Sequence, residues 1–284
     1  MAGEPGSLVG FALQVLATPD AFAKAALTRR ALAAWRTGAL PAWLPCDGAA
    51  AAKPARDASL TVVQPGAAPK RGRGGTPESQ RALLHALAHT ESWAVDLSWD
   101  LVARFARSFP AGGDEARAFC DDWAAVAEDE ACHFELLAAR LAALGGRYGA
   151  LPVHDGLWES AARTAHRLPA RLAVEHCVHE ARGLDVLPQT VARFRAGGDE
   201  ASAQLLEGRI LPEEVSHCAK GVAWFRRLHV AAHPGADDAH AAAAFRQAVA
   251  DHFRGSLKPP FNEQARAAAG FDPAWYLPAV EAVS

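Results

Sequence analysis

Apolar residues recur at helical spacing along most of the chain, and four long stretches between residues 77 and 234 show this pattern most clearly. Thr76-Pro77-Glu78 is a typical helix start before the first stretch, and Gly145-Gly146 is a typical stop after the second. Pro188 is expected to kink or end the third stretch. The stretches cover roughly residues 77–109, 117–144, 169–195 and 202–234. The pattern therefore predicts an all-α fold built around four helices.

The segments outside these stretches predict helical extensions at both ends of the chain. Residues 1–40 are expected to be a helical arm that packs on the bundle, with Thr18-Pro19-Asp20 as a helix start that places Pro19 at the first helical position. A short helix near Trp158 is predicted in the connection between the second and third long helices. The predicted organisation is an arm over 1–40, an extended proline-rich linker over 41–76, a four-helix bundle over 77–234 and a helical extension over 235–284.

An internal repeat relates the two halves of the predicted bundle. The hexapeptide Ala-Gly-Gly-Asp-Glu-Ala occurs at 111–116 and again at 196–201, each time between two long helices. The helix before each copy also contains Glu-x4-Asp, as Glu91 with Asp96 and as Glu180 with Asp185. Duplication of a helical hairpin explains both features, and two hairpins joined by a long crossover form a four-helix bundle.

The two copies differ in length by one residue. The loop aspartate precedes the next Glu-x-x-His glutamate by 16 residues in the first copy and by 15 in the second, as the printed sequence shows. One residue turns an α-helix by roughly 100°. A π-bulge or a kink between Gly208 and Pro212 is therefore expected to absorb the difference.

Four glutamates lie within apolar helical stripes, and two of them are followed three residues later by a histidine. Residues three apart on a helix share one face, and a carboxylate beside an imidazole suits a transition metal. Ionised carboxylates in a core are very costly unless they are paired or bind a cation, and two divalent ions would balance four of them. This order on successive helices is that of a ferritin-like di-iron bundle. The predicted metal ligands are Glu91, Glu130, His133, Glu180, Glu214 and His217.

Three further residues are candidates for supporting roles. Asp129 and Glu213 each lie four residues before a predicted ligand histidine, where a carboxylate can orient the imidazole or else lie at the surface. His176 lies one turn before Glu180 and is either an additional ligand or a hydrogen-bond partner. The cysteines near the site are expected to be reduced and buried rather than to bind metal.

Composition narrows the class of protein. The net charge of −3 gives no basis for binding nucleic acid or an anionic membrane. The apolar run from Leu8 to Leu16 is too short to span a membrane and lacks a preceding basic segment, so a cytoplasmic protein is expected.

Several segments resemble a bacterial ferritin-like family, the domain-of-unknown-function 455 family, over about residues 60–275. They are His85–Glu91, His179–Asp185, Glu214–His217 and Pro259-Pro-Phe-Asn262. The resemblance implies a ferritin-like fold with a dinuclear metal site at the six predicted positions. Relatives usually have Asp-Glu-x-x-His in the fourth helix, whereas Glu213 replaces that aspartate in this chain.

The favoured functional interpretation is a di-iron oxidoreductase that uses O2 to oxidise an unknown small molecule. Two metal ions are expected, with iron favoured and manganese or zinc as alternatives, because these ligands suit all three. The open alternatives are ferroxidase, peroxide-handling or iron-binding activity without an organic substrate, and a structural protein with a relic site. A monomer or small homo-oligomer is expected.

Overall fold

The computed structural model describes residues 5–68, 72, 74–110 and 112–277. These residues are predominantly helical and contain no β-strand, only an isolated bridge between Val62 and Val153, so the predicted all-α class is confirmed. None of their helices is long and apolar enough to cross a membrane. The chain forms two compact units, Met1–Ala162 and Arg163–Ser284.

The first unit is built on a hairpin of two long helices. Its helices are α1 (Leu8–Ala17), α2 (Ala21–Arg36), α3 (Pro77–Phe105), α4 (Asp114–Ala143) and α5 (Gly156–Ala162). Helices α3 and α4 pack along each other, while α1 packs on α3 and α2 packs on α4. The two helices of the predicted arm therefore pack on α3 and α4, and the short helix predicted near Trp158 is α5.

Local sequence signals set the helix starts in this unit. The Thr76 side chain accepts a hydrogen bond from the Ser79 amide, and Pro77 follows in the first turn of α3, as predicted. The prediction that Pro19 begins α2 is wrong. Asp20 is the capping residue and accepts from the Ala23 amide at 2.7 Å, so Pro19 precedes the helix. The predicted linker over 41–76 has no α-helix among its described residues, only a 3-10 turn at Pro65–Ala67.

The second unit contains two long helices that each include a π-helical segment. Its α-helices are α6 (Leu168–Ala173), α7 (Glu180–Ala196), α8 (Glu200–Leu205), α9 (Leu211–Ala232), α10 (Asp238–His252), α11 (Glu263–Ala268) and α12 (Pro273–Tyr276). One π segment, Val174–His179, joins α6 to α7, and the other, Leu206–Ile210, joins α8 to α9. The predicted helical extension over 235–284 contains α10, α11 and α12.

The π segment at Leu206–Ile210 confirms the irregularity predicted before Pro212. In an α-helix the Pro212 ring would crowd the carbonyl of Gly208, four residues earlier. A π turn is wider, and the Leu211 amide donates to the Leu206 carbonyl across it. The wide turn therefore lets the helix continue through the proline.

Pro188 does not end its helix, because α7 continues to Ala196. Proline has no amide hydrogen, so the carbonyl of Leu184 loses its usual donor four residues later. The side-chain amide of Asn262 donates to this carbonyl at 3.1 Å. The C-terminal extension thus supplies the hydrogen bond that the proline removes.

The aspartates of the two Glu-x4-Asp motifs, Asp96 and Asp185, hold the N-terminal and C-terminal segments against their helices. Asp96 on α3 is fully buried and forms ion pairs with Lys24 of α2 and with Arg56 of the linker, the latter at 2.8 Å. Asp185 on α7 is also buried and accepts from Arg266 at 2.7 and 2.9 Å and from the Asn262 amide at 2.8 Å. The same position of the repeat therefore fastens the arm in one unit and the C-terminal extension in the other.

Candidate metal centre

The first unit brings three of the predicted ligands together. Glu91 lies on α3, while Glu130 and His133 lie one turn apart on α4. The His133 Nδ1 atom is 3.4 Å from Glu130 Oε2 and 4.0 Å from Glu91 Oε2. All three are buried, with Glu130 only 1% exposed and His133 0%. Hairpin packing therefore produces a group of two carboxylates and one imidazole.

The second unit brings the other three together in the same order. Glu180 is the first residue of α7, and Glu214 and His217 lie one turn apart on α9. The His217 Nδ1 atom is 3.9 Å from Glu214 Oε1, and each of the three residues offers a ligand atom within 4.8 Å of the other two. Glu214 and His217 are buried, and Glu180 is partly exposed.

These distances fit metal ligation. Two ligands bonded to one first-row ion at about 2.0–2.2 Å are separated by roughly 2.8–4.4 Å. The measured nitrogen–oxygen separations of 3.4–4.0 Å lie in this range and exceed ordinary hydrogen-bond lengths. Carboxylate and imidazole donors suit iron, manganese and zinc. Each unit thus contains a buried Glu/His group that could hold a metal ion.

Glycine permits close packing beside the second group. A Cβ at Gly221 on α9 would lie 1.9 Å from the backbone oxygen of His176, in the π segment before α7. Only the absence of a side chain lets the two helices approach at this point. Gly221 therefore sets the spacing between the helix that carries Glu214 and the segment that leads to Glu180.

Two buried cysteines lie beside the second group. Cys177 and Cys218 are buried, and burial is the main cause that raises the pKa of each above its usual value, with nearby Glu180 adding to the shift. These two cysteines pack beside the group, as expected, whereas Cys132 is only half-buried.

The three candidates for supporting roles have different surroundings. Asp129 is half-buried on α4. Glu213 forms an ion pair with Arg209 one turn earlier, at 2.9 Å. His176 is buried within the π segment Val174–His179. It stays a prediction that Asp129 and Glu213 orient His133 and His217. It also stays a prediction that His176 is an additional ligand or a hydrogen-bond partner.

Sequence reasoning missed one buried acid, Glu175. Its side chain is 1% exposed, and its Oε2 atom is 3.8 Å from His179 Nε2. An α-helical period separates Glu175 from Glu180 by roughly 140°, so the residue did not fall on the predicted stripe. In a π-helix the amide of one residue bonds to the carbonyl five residues earlier. The π segment therefore brings positions 175 and 180 closer to one face than an α-helix would. Val174 immediately before it and Val178 three residues after it were the available hydrophobic signal.

The histidines of the His85–Glu91 segment hold a loop rather than the ligands. His85 Nε2 accepts from the amides of Gly149 and Leu151, at 3.0 and 3.3 Å. His89 contacts the Tyr148 hydroxyl and the His154 carbonyl, at 3.0 and 3.1 Å. Burial lowers the pKa of His89 to about 3, so its imidazole is neutral. These contacts fasten residues 148–154 to α3.

Comparison with known proteins gives one family. The family model described as "Protein of unknown function (DUF455)" matches residues 17–277, which is most of the chain. The chain belongs to this family. The resemblance predicted from the sequence is therefore confirmed at the family level, and the match begins earlier than the predicted residue 60. It includes both Glu/His groups and the anchoring residues of both terminal segments.

A relative in Haemophilus influenzae is described only as an uncharacterized protein. It is 39% identical to this chain over 167 residues, which are 59% of this chain and 57% of the relative. The alignment thus spans little more than half the length of the relative. No solved structure matches the chain significantly.

Proposed function

We propose that the two Glu/His groups bind two metal ions as one dinuclear centre in a ferritin-like four-helix bundle. The protein would then be an O2-dependent oxidase or oxygenase of a small organic molecule. The observation that supports this most strongly is the repetition of one ligand group in both units. Each unit presents a Glu and a Glu-x-x-His pair, on two copies of a duplicated hairpin. Ferritin-like carboxylate proteins use the same ligand set in the same order.

Charge balance supports two divalent ions rather than one. The four glutamates carry four negative charges when ionised, and the two histidines are neutral when they coordinate. Buried carboxylates of like charge repel strongly, so cations would stabilise the ionised set. The predicted ligands are Glu91 with Glu130 and His133, and Glu180 with Glu214 and His217. We propose iron, with manganese or zinc as alternatives.

The protein residues would position the ions and control access to them. Bound iron would supply the redox chemistry that reduces O2. His133 and His217 would hold fixed positions, because each is fully buried on a long helix. Buried apolar side chains on the same stripe of α4, such as Trp123, Phe134 and Leu137, would exclude bulk water.

Metal analysis of the purified protein tests the ligand assignment. We expect about two ions per chain after loading, and a loss of both when Glu130→Gln or Glu214→Gln weakens the shared centre. Glu135→Gln on α4 and Glu207→Gln in the second unit are matched controls, because both glutamates are ion-paired to arginines at the surface. Equal metal contents in all five proteins would refute the assignment.

Oxygen uptake separates the oxidase from a passive metal-binding protein. Ferrous protein should consume O2 faster than the Glu130→Gln variant at equal iron concentration, and a substrate should increase the uptake. Uptake no faster than that of free ferrous iron would contradict the proposed activity. Light scattering gives a further check, since iron storage requires a large hollow assembly and the proposed enzyme is a monomer or small oligomer.

A further inference from the structure

Three histidines of the second unit cluster at the junction between α9 and α10. His229 lies in the last turn of α9, His233 follows that helix, and His240 lies in the first turn of α10. Their ring centres are 4.6, 4.8 and 5.5 Å apart. The cluster is separate in sequence from the six predicted ligands, and we call it the histidine triad.

The ring centres of the triad are spaced like those of three imidazoles around one ion, and the rings of His229 and His233, which are stacked at 20°, would turn to bring one nitrogen of each towards it. With a metal–nitrogen bond of about 2.0–2.1 Å and tetrahedral angles, three ring centres would lie roughly 5 Å apart. The observed separations bracket this value. His229 Nε2 and His240 Nδ1 already face each other at 2.6 Å, so one proton lies between two nitrogens that could both coordinate.

Hydrogen bonding prepares the third histidine for the same role. His233 Nδ1 is 3.2 Å from the backbone carbonyl of His229, which can only accept a hydrogen bond. The proton therefore resides on Nδ1, and Nε2 keeps its lone pair. His233 and His240 are exposed, which allows their rings to rotate towards a common ion, while His229 is buried and stacked against Phe225.

The charges around the triad do not compete for an ion. Burial lowers the pKa of His229, and neighbouring His233 and His240 lower it further. Asp237 accepts from the His240 amide as the cap of α10, and Asp238 pairs with Arg226 at 2.6 Å. The available donors are thus the three imidazoles.

We propose that the histidine triad is a second metal site, specific for a borderline transition ion such as Zn²⁺, Ni²⁺ or Cu²⁺. An imidazole set without carboxylates favours these ions over the iron or manganese suited to glutamate ligands. A bound ion would join the end of α9 to the start of α10 and so fix the C-terminal extension to its unit. The proposal does not depend on the proposed oxidase activity.

Zinc titration of the chelator-treated full chain tests the triad by calorimetry. His233→Ala and His240→Ala should each weaken one binding event by at least the ~10–100-fold that loss of a mere supporting residue costs. His166→Ala is the matched control, because His166 is an exposed histidine of the same unit outside the triad. Glu130→Gln, which alters the proposed dinuclear centre, should leave this event unchanged.

Melting temperatures with and without zinc give two further tests of the site. Zinc should raise the melting temperature of the wild-type protein and of His166→Ala more than that of His240→Ala. Without metal, His233→Ala and His240→Ala should melt at the same temperature as the wild type, because both histidines are exposed. Binding that is identical in the wild type, His233→Ala and His240→Ala would overturn the proposal. Loss with only one of the two substitutions would also overturn it, since the site requires all three imidazoles.

Discussion

Replacing Asp96 with Asn should strongly destabilise the first unit. Asp96 is 0% exposed, and its carboxylate neutralises Lys24, which is only 1% exposed, and also pairs with Arg56. Burial lowers the pKa of Lys24, while Asp96 opposes that shift. The amide of Asn carries no charge, so the substitution leaves a buried ammonium group beside a guanidinium group.

The magnitude follows from the burial of the pair. Removing one partner of a buried ion pair typically costs about 3–5 kcal/mol, because the remaining charge is uncompensated. For a unit of this size that corresponds to a decrease of about 6–20 °C in melting temperature. The double variant Lys24→Met with Asp96→Asn should recover most of this loss, since it removes the buried ammonium group as well.

Urea denaturation followed by tryptophan fluorescence measures these differences. The matched control is Glu135→Gln, which breaks the exposed ion pair between Arg29 and Glu135 and should cost less than about 1 kcal/mol. A loss below about 1 kcal/mol for Asp96→Asn, or no recovery in the double variant, would refute the anchoring role of Asp96.

Three further substitutions test other parts of the structure. Gly221→Ala should destabilise the second unit by several kcal/mol and lower its metal content, because the new Cβ would meet the His176 carbonyl. Asn262→Ala should cost about 1–3 kcal/mol, because it removes the donor to the Leu184 carbonyl and the cap of α11. The folded-state pKa of His89 is about 3, below its ordinary 6.5, so protonation favours the unfolded state as pH falls. The chelator-treated protein should therefore lose about 2 kcal/mol between about pH 6.5 and pH 5 through this group, and His89→Gln should flatten that slope.

Controls and contrary results are specific to each substitution. Gly183→Ala should be mild by thermal melting, because its Cβ would make only an ordinary contact of 3.9 Å with Glu214. A Gly221→Ala protein as stable as Gly183→Ala would argue against the close approach of α9 to the His176 backbone. An unchanged unfolding free energy for Asn262→Ala would show that the Leu184 carbonyl needs no donor. An unaltered pH slope in His89→Gln would contradict a neutral His89.

Local signals in the sequence were sufficient to predict most helices. Thr76 and Pro77 begin α3 because a hydroxyl caps the first turn and the proline needs no amide partner there. Gly145 adopts a φ of 75° just after α4, a conformation that favours glycine. The six predicted ligands could be selected because a helical period places them on apolar stripes, and each unit does bring its three together.

Long-range contacts were not predictable in this way. Pro188 was expected to disturb or end a helix, and the donor that compensates for it comes from Asn262, 78 residues away from Leu184 along the chain. The π segment before α7 had no proline to indicate it, so Glu175 was not identified. These features depend on which segments pack together, and a local period contains no information about that.

Electron paramagnetic resonance of the Mn(II)-loaded protein tests the central claim most directly. If the two Glu/His groups form one dinuclear centre, about two ions should bind per chain and their spins should be magnetically coupled. Glu130→Gln should abolish the coupled signal, whereas Glu135→Gln should leave it intact. A spectrum of isolated ions at full loading, or no bound manganese at all, would contradict the dinuclear centre.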